Sequence, residues 1–309
     1  MTKSRKWKKQ GGINIHPGMV ITGKWYKNSY PIKRKLGTGA IGSVYLCKAN
    51  GQLAALKISE QSTQMTVEVN VLKSLQKVRE SHLGPYLLDV DDWESPWGKV
   101  YSFYVMEYIR GENMRTFIQN QGDSWIGVFM LQLLESLEKL HQSGWVFGDL
   151  KLENIIIDPS PPRARFVDVG GTTQIGRAIK EYTEFYDRGY WGLGTRKAEP
   201  SYDLFALSMV CLSIYYPNHF PKSKYPERTL FSKLHAIKPL IPYRAILRKA
   251  LLGKYHSSSE MKKDVSTIFV QRRKNNTAKN KGEKRLFFTE SLFMIIIAVI
   301  YYTASLLLP

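Results

Sequence analysis

The sequence predicts an α+β protein of two lobes, a strand-rich N-lobe and then a helical C-lobe, with a transmembrane helix at its C-terminal end. Three observations carry this expectation. Strand-like segments come first, up to about residue 110, and mostly helical ones follow to about 258. A content of 43% hydrophobic and 12% aromatic residues in a chain of 309 is enough to bury one large core or two adjoining ones. Residues 291–308, SLFMIIIAVIYYTASLLL, carry no charge, and about 18 residues at a rise of roughly 1.5 Å cover about 27 Å of bilayer core.

In chain order, residues 30–57 read as strands interrupted by a glycine loop, 66–75 as a short helix and 100–108 as a strand rich in aromatic and β-branched residues. A helix is expected over 124–142, where Val128, Leu131, Leu134, Leu137 and Leu140 give the apolar stripe and Gly144 supplies the stop. Two short strands, 154–157 and 165–169, flank turn residues 158–162. No internal repeat is present. The domain organisation this implies is a basic N-terminal segment over 1–25 and a two-lobed domain over 26–258, divided at 110/111. A basic linker over 259–285 and a membrane anchor over 286–309 follow.

The formal charge of +19 sits in three stretches, and the rest of the chain is balanced. Residues 1–9 carry Lys3, Arg5, Lys6, Lys8 and Lys9 with no acid. Residues 222–254 set nine Lys or Arg against Glu227, and 272–285 set seven against Glu283. A charged stretch is most often a solvated face, and three of them in one chain also admit an anionic partner. Lys281, Lys284 and Arg285 precede the apolar run, so the positive-inside bias places the body of the chain in the cytosol. The N-terminal basic run leads into Gly11, Gly12 and polar residues, unlike a signal peptide. Cys47 and Cys211 are the only cysteines and have no CxxC spacing, so neither a disulfide framework nor a thiolate zinc site is suggested and a reducing compartment is expected. The six histidines, at 16, 82, 141, 219, 235 and 256, show no metal-ligand spacing and read as structural or surface residues.

The run Leu36-Gly37-Thr38-Gly39-Ala40-Ile41-Gly42-Ser43-Val44 continues as strand beyond its third glycine, where a dinucleotide-binding loop would open a helix. Glycines let backbone N–H groups approach phosphate oxygens without an intervening Cβ. Lys57, in Ala54-Ala55-Leu56-Lys57, can aim its ammonium at the same phosphates. Gly148-Asp149-Leu150-Lys151-Leu152-Glu153-Asn154 is followed by Asp168-Val169-Gly170. In this order, Asp149 can accept a hydrogen bond from an attacking hydroxyl and Lys151 can neutralise charge on a moving phosphoryl group. Asn154 and Asp168 offer oxygen ligands to Mg²⁺ or Mn²⁺.

On these motifs the chain resembles the eukaryotic-like, Hanks-type Ser/Thr protein kinases over residues 26–258. The resemblance implies the bilobal protein-kinase fold, ATP and Mg²⁺ as the phosphoryl donor pair, and protein substrates. It places Leu36, Gly37, Gly39, Gly42 and Val44 over the nucleotide, and pairs Lys57 with Glu68. Met106, Glu107 and Tyr108 become the adenine hinge with Met106 as gatekeeper, and Asp203 becomes the buried brace of the catalytic loop. Within the family the chain looks most like the small membrane-anchored kinases of spore-forming Gram-positive bacteria, which implies a role in sporulation.

Departures from the family pattern shape the remaining expectations. Phe147-Gly148-Asp149 stands where the family has His-Arg-Asp, so activation through an arginine that reads a phosphorylated loop is not expected. The Ala-Pro-Glu element reads Ala198-Glu199-Pro200, and Thr195 beside it is expected to be a positioning hydroxyl. The basic stretches are the alternative switch: anionic lipid is the simpler partner of 272–285, and lipid or DNA of 222–254. An anionic polymer such as DNA would gather copies of the enzyme and promote phosphorylation between neighbours. Two other readings stay open on the sequence. One is a small-molecule phosphotransferase of the aminoglycoside or choline kinase type. The other is a catalytically inactive membrane scaffold or DNA-binding protein.

Overall fold

The computed structural model describes residues 15–39, 41–77 and 84–271. The expected membrane anchor at 286–309, the basic run at 272–285 and the basic residues of 1–9 lie outside the described residues. Among the described residues no helix is long and apolar enough to cross a membrane. The chain divides into two compact units, Met1–Lys262 and Lys263–Pro309, and the described part of the second, 263–271, is helical.

The first unit opens with β1 (Val20–Thr22), β2 (Ser29–Thr38), β3 (Ser43–Ala49) and β4 (Gln52–Ser59). Helix α1 (Ser62–Lys77), β5 (Leu87–Glu94) and β6 (Val100–Glu107) follow. The six strands form one antiparallel sheet in the order β1-β2-β3-β4-β6-β5. Its core gathers Tyr30, Tyr45, Leu56, Ile58, Trp93, Phe103 and Val105. Ile15 and Ile21 join that core, so the lobe begins ahead of residue 26. Strand β5 is hidden in the sequence because Asp89, Asp91, Asp92 and Glu94 break its apolar alternation. Asp91 is nevertheless buried, because its carboxylate accepts from the Trp25 and Tyr26 backbone N–H groups at 3.0 and 2.9 Å.

Helix α1 starts four residues earlier than its expected position. Its buried residues are Met65, Glu68, Val69, Val71, Leu72 and Leu75, with one acid set among apolar residues.

The C-lobe runs through β7 (Glu112–Asn113), α2 (Met114–Gln121), α3 (Trp125–Gln142) and β8 (Trp145–Val146). It continues with β9 (Ile155–Pro159), β10 (Pro162–Phe166) and β11 (Thr173–Gln174). The last elements are α4 (Arg188–Trp191), α5 (Pro200–Tyr215), α6 (Pro226–Ala236) and α7 (Arg244–Leu251). In α3 the fully buried stripe is Ile126, Phe129, Met130, Leu133, Leu134, Leu137 and Leu140, with Val128 and Leu131 only half-buried. The β9–β10 hairpin is tighter than expected, since both strands extend into the proposed turn and Val167–Val169 leave the strand. Helix α5 is buried on every side from Tyr202 to Ile214, the pattern of a central core helix.

Candidate active site

The two lobes enclose a cleft of about 590 Å³. Leu36, Gly37, Gly39, Val44, Lys57, Met106, Glu107, Tyr108, Lys151, Asn154 and Asp168 all contribute to its wall. Three expected residues do not. Glu68 sits behind Lys57 at 1% exposure, Asp149 bonds to Lys151 of the wall and to Thr183, and Gly42 faces β4.

Sheet register builds the upper half of the site. Lys57 pairs with Val44 on one side and Tyr104 on the other, so these three side chains share one face. The Lys57 ammonium meets Glu68 at 2.7 Å and Asp168 at 3.1 Å, and the Tyr104 hydroxyl donates to Glu68 at 2.6 Å. Burial alone would disfavour the ammonium, yet Asp168 and Glu68 together raise its pKa. The Glu68 carboxyl is also pushed up, first by burial, which outweighs the pull of Lys57. One ammonium thus serves two carboxylates.

The glycines divide by cause. A Cβ on Gly37 would meet nothing within 4 Å, so its backbone lies open to a phosphate in the cleft. A Cβ on Gly42 would strike the Ile58 carbonyl oxygen, so that glycine serves close strand packing. The Ser59 hydroxyl, donating to the Ile41 carbonyl, fixes the same corner.

The lower half is held from α5. Asp203, 0% exposed, accepts from the backbone N–H groups of Phe147 and Gly148 at 2.7 and 3.0 Å. His141 Nε2 donates to the same carboxylate at 2.8 Å, and its Nδ1 lies 3.0 Å from Ser258 Oγ. The Asn154 amide donates to the Asp149 carbonyl at 3.0 Å, closing the catalytic loop. Gly148 has φ +80°, and a Cβ there would drive into the Gly171 carbonyl. Gly148→Arg should therefore fail to restore a loop-reading arginine. We expect it to lower the melting temperature by several degrees and phosphoryl transfer by at least about tenfold, checked by thermal denaturation and steady-state rates.

The positioning hydroxyl is Thr183, where the sequence suggests Thr195. Thr183 Oγ1 donates to Asp149 at 2.9 Å and accepts from Lys151 at 3.3 Å, while Lys151 also reaches Asp149 at 2.5 Å. Thr195 Oγ1 accepts only a long 3.4 Å bond from the Lys197 backbone. Thr183→Val should lower kcat about tenfold to a hundredfold and Thr195→Val less than about threefold, measured at saturating ATP. Nothing local distinguishes the two threonines; only the fold of the intervening segment does.

The acid anchoring this segment is likewise Asp187 rather than Glu199 of Ala198-Glu199-Pro200. Asp187 is buried and accepts from Gly189 N, Tyr190 N, Tyr202 OH and Arg196, all between 2.7 and 3.0 Å. Glu199 pairs with buried Arg188 at 2.7 Å at the start of α5. Residues 176–179 bond back to 196–198 through Gly176 N, Ile179 N and Ala198 N at 2.7–2.8 Å. Glu107 does more than line the hinge. Its carboxylate takes both terminal nitrogens of Arg165 at 2.6 and 2.8 Å, and Arg165 donates onward to Gly84 O at 3.0 Å.

The cleft accepts a nucleoside triphosphate in chemistry as well as size. Open glycine backbone and Lys57 share the wall with the apolar Leu36, Val44, Ala55 and Met106. Among the described residues no group of three or more His, Cys, Asp or Glu could hold a metal ion. Asn154 and Asp168 fit a cation that takes one or two protein oxygens and completes its shell with phosphates and water, the habit of Mg²⁺.

A sheet-and-helix N-lobe over a helical C-lobe, with these side chains converging in the cleft between them, defines a phosphotransferase of the protein-kinase class. The protein kinase domain family matches residues 30–279, and the chain belongs to that family. It is 49% identical over 253 residues to the serine/threonine-protein kinase YabT of Bacillus subtilis, covering 82% of this chain and 75% of that one. More distant relatives include the sporulation protein kinase mde3 of Schizosaccharomyces pombe, 26% identical over 65% of this chain and 40% of that one. The cyclin-dependent kinase B2-1 of Arabidopsis thaliana is 29% identical over 48% and 51%. Protein kinases use ATP and a divalent metal.

Proposed function

We propose that this protein kinase transfers the γ-phosphoryl group of ATP to Ser and Thr side chains of cytosolic proteins, and to its own copies, from a membrane-anchored position. The observation that carries the transfer itself is the convergence of Lys57, Lys151, Asn154 and Asp168 on one cleft, with Asp149 bonded to Lys151 of its wall. Lys57, held by Glu68, faces the phosphates of the donor. Asp149 orients the acceptor hydroxyl and takes its proton as the oxygen bonds to phosphorus and the bond to the leaving diphosphate breaks. Lys151, shared between Asp149 and Thr183, neutralises charge on the moving group. Asn154 and Asp168 would hold Mg²⁺ or Mn²⁺, which when bound would further neutralise the phosphates. The Ser/Thr acceptor class is supported by the 49% identity to a kinase of that name.

The membrane anchor rests on the uncharged run 291–308, and the sporulation role on resemblance. An anionic activator, DNA or lipid, is supported by the 222–254 patch. There Arg228, Lys233 and Arg248 lie over the rings of Tyr225, Tyr216 and Phe231, at 5.4, 5.1 and 4.5 Å. The test is phosphorylation by the full chain in detergent, with ATP and Mg²⁺, of itself and of a generic basic protein, with and without DNA or anionic vesicles. Phosphoserine or phosphothreonine is expected, rising with the anionic partner at low salt. Absence of any phosphorylated Ser or Thr under all these conditions would sink the reading.

A further inference from the structure

His141, in the last turn of α3, is held between two partners. Its Nε2 donates to Asp203 of α5 at 2.8 Å, and its Nδ1 lies 3.0 Å from the Ser258 hydroxyl. The imidazole is 7% exposed, and Asp203 and Ser258 are buried. Of the donors to the Asp203 carboxylate, two are the backbone N–H groups of Phe147 and Gly148, directly before Asp149, and the third is this imidazole. The buried carboxylate requires the ring proton on Nε2, which leaves Nδ1 to accept. The Ser258 hydroxyl is then the donor, and its bond selects the tautomer that serves Asp203.

Local sequence aims Ser258 inward. Ser257 Oγ accepts from the Glu260 backbone N–H at 3.3 Å, and the Glu260 carboxylate accepts from the His256 N–H at 3.1 Å, a reciprocal cap that opens a helix at residue 258. Ser258 and Met261, three residues apart, are buried on one face of it, while Ser259 and Glu260 are exposed. Lys262 bonds at 3.2 Å to Glu138, one turn before His141, and so keeps the same two helices together. We propose that Ser258 is a positioning residue for phosphoryl transfer, acting through His141 on Asp203 and through Asp203 on the backbone that leads into Asp149. Without its hydroxyl the imidazole loses the partner that keeps the proton on Nε2. The other tautomer turns a lone pair toward the carboxylate, and the hold on Phe147 and Gly148 loosens. The proposal rests on the phosphoryl-transfer reading of this site.

The test uses the full chain in detergent, with ATP, Mg²⁺ and a generic basic protein as acceptor, and reads steady-state rates beside hydrogen exchange. Ser258→Ala should lower kcat about fivefold to tenfold with both KM values within about twofold, and the Phe147 and Gly148 amides should exchange at least about fivefold faster. Ser259→Ala, one residue on and exposed, should change neither quantity. His141→Phe keeps a flat ring and removes both nitrogens, so adding Ser258→Ala to it should lower kcat no further. Should His141→Phe not fold, the split between kcat and KM and the exchange at 147 and 148 in Ser258→Ala decide alone. An unchanged kcat or unchanged exchange in Ser258→Ala overturns the proposal, whatever happens to the melting temperature. An equal further loss of kcat in the His141→Phe background overturns it too. Exchange is read without turnover, so a chain that shows the faster exchange but transfers no phosphoryl group would count against the proposed function alone.

Discussion

Asp149→Asn is expected to lower kcat about a thousandfold while leaving nucleotide affinity within about threefold. The substitution keeps the size of the side chain and the frame around it, since Asp203 and Asn154 hold the loop through backbone groups. What it removes is the acceptor for the substrate proton. It also turns an NH₂ group toward Lys151 or Thr183, both of which now bond to a carboxylate oxygen. Steady-state transfer to a peptide, alongside titration of a fluorescent ATP analogue, separates the two effects. A fall of less than about tenfold would mean that Asp149 is not the group that handles the proton.

Lys57→Met should cost both activity and stability. Removing the ammonium leaves Glu68 buried with only the Tyr104 hydroxyl for company, and breaking such a pair typically costs about 3–5 kcal/mol. The deficit has a defined pH dependence. Burial already raises the Glu68 carboxyl in the intact protein, and Lys57 is what opposes it. Without Lys57 the folded-state value climbs further above that of the unfolded chain. A group raised in this way favours the fold while protonated and loses that contribution as pH rises through its folded value. Denaturant unfolding should therefore show the variant's deficit growing as pH rises above the ordinary carboxyl range and levelling off once it has passed the raised folded-state value. Glu68→Gln in the same background should recover part of the stability and none of the transfer rate. A deficit independent of pH would show that Glu68 is not the group left exposed to the loss.

What is and is not legible in the sequence follows the range of the interactions. The glycine loop, Lys57, Asp149, Lys151, Asn154 and Asp168 are short motifs whose spacing reflects local backbone demands, and the cleft assembles around them. The partnership of Lys57 with Glu68 is less regular in spacing, but α1 begins at Ser62 and so brings Glu68 among its buried residues. Thr183 and Arg188 carry no local signal, because their partners Asp149 and Glu199 lie 34 and 11 residues away, while Asp187 shows locally only as a helix cap, to Gly189 and Tyr190. Strand β5 is masked because Asp91 is buried for the sake of backbone donors far away in the chain. Local composition holds no trace of a carboxylate satisfied across 66 residues.

The left-handed Gly148 and its neighbour across the site constrain how such an enzyme can change over generations. A side chain at 148 would press on the Gly171 carbonyl, and a side chain at 171 would come within 2.6 Å of Asp149 Cβ. Each glycine is kept by the backbone at or beside the other, so neither position offers a neutral first step. A lineage that has once given up the arginine at this place cannot regain it by a single codon change. At this place the backbone, and not the chemistry of the side chain, decides which residue can stand.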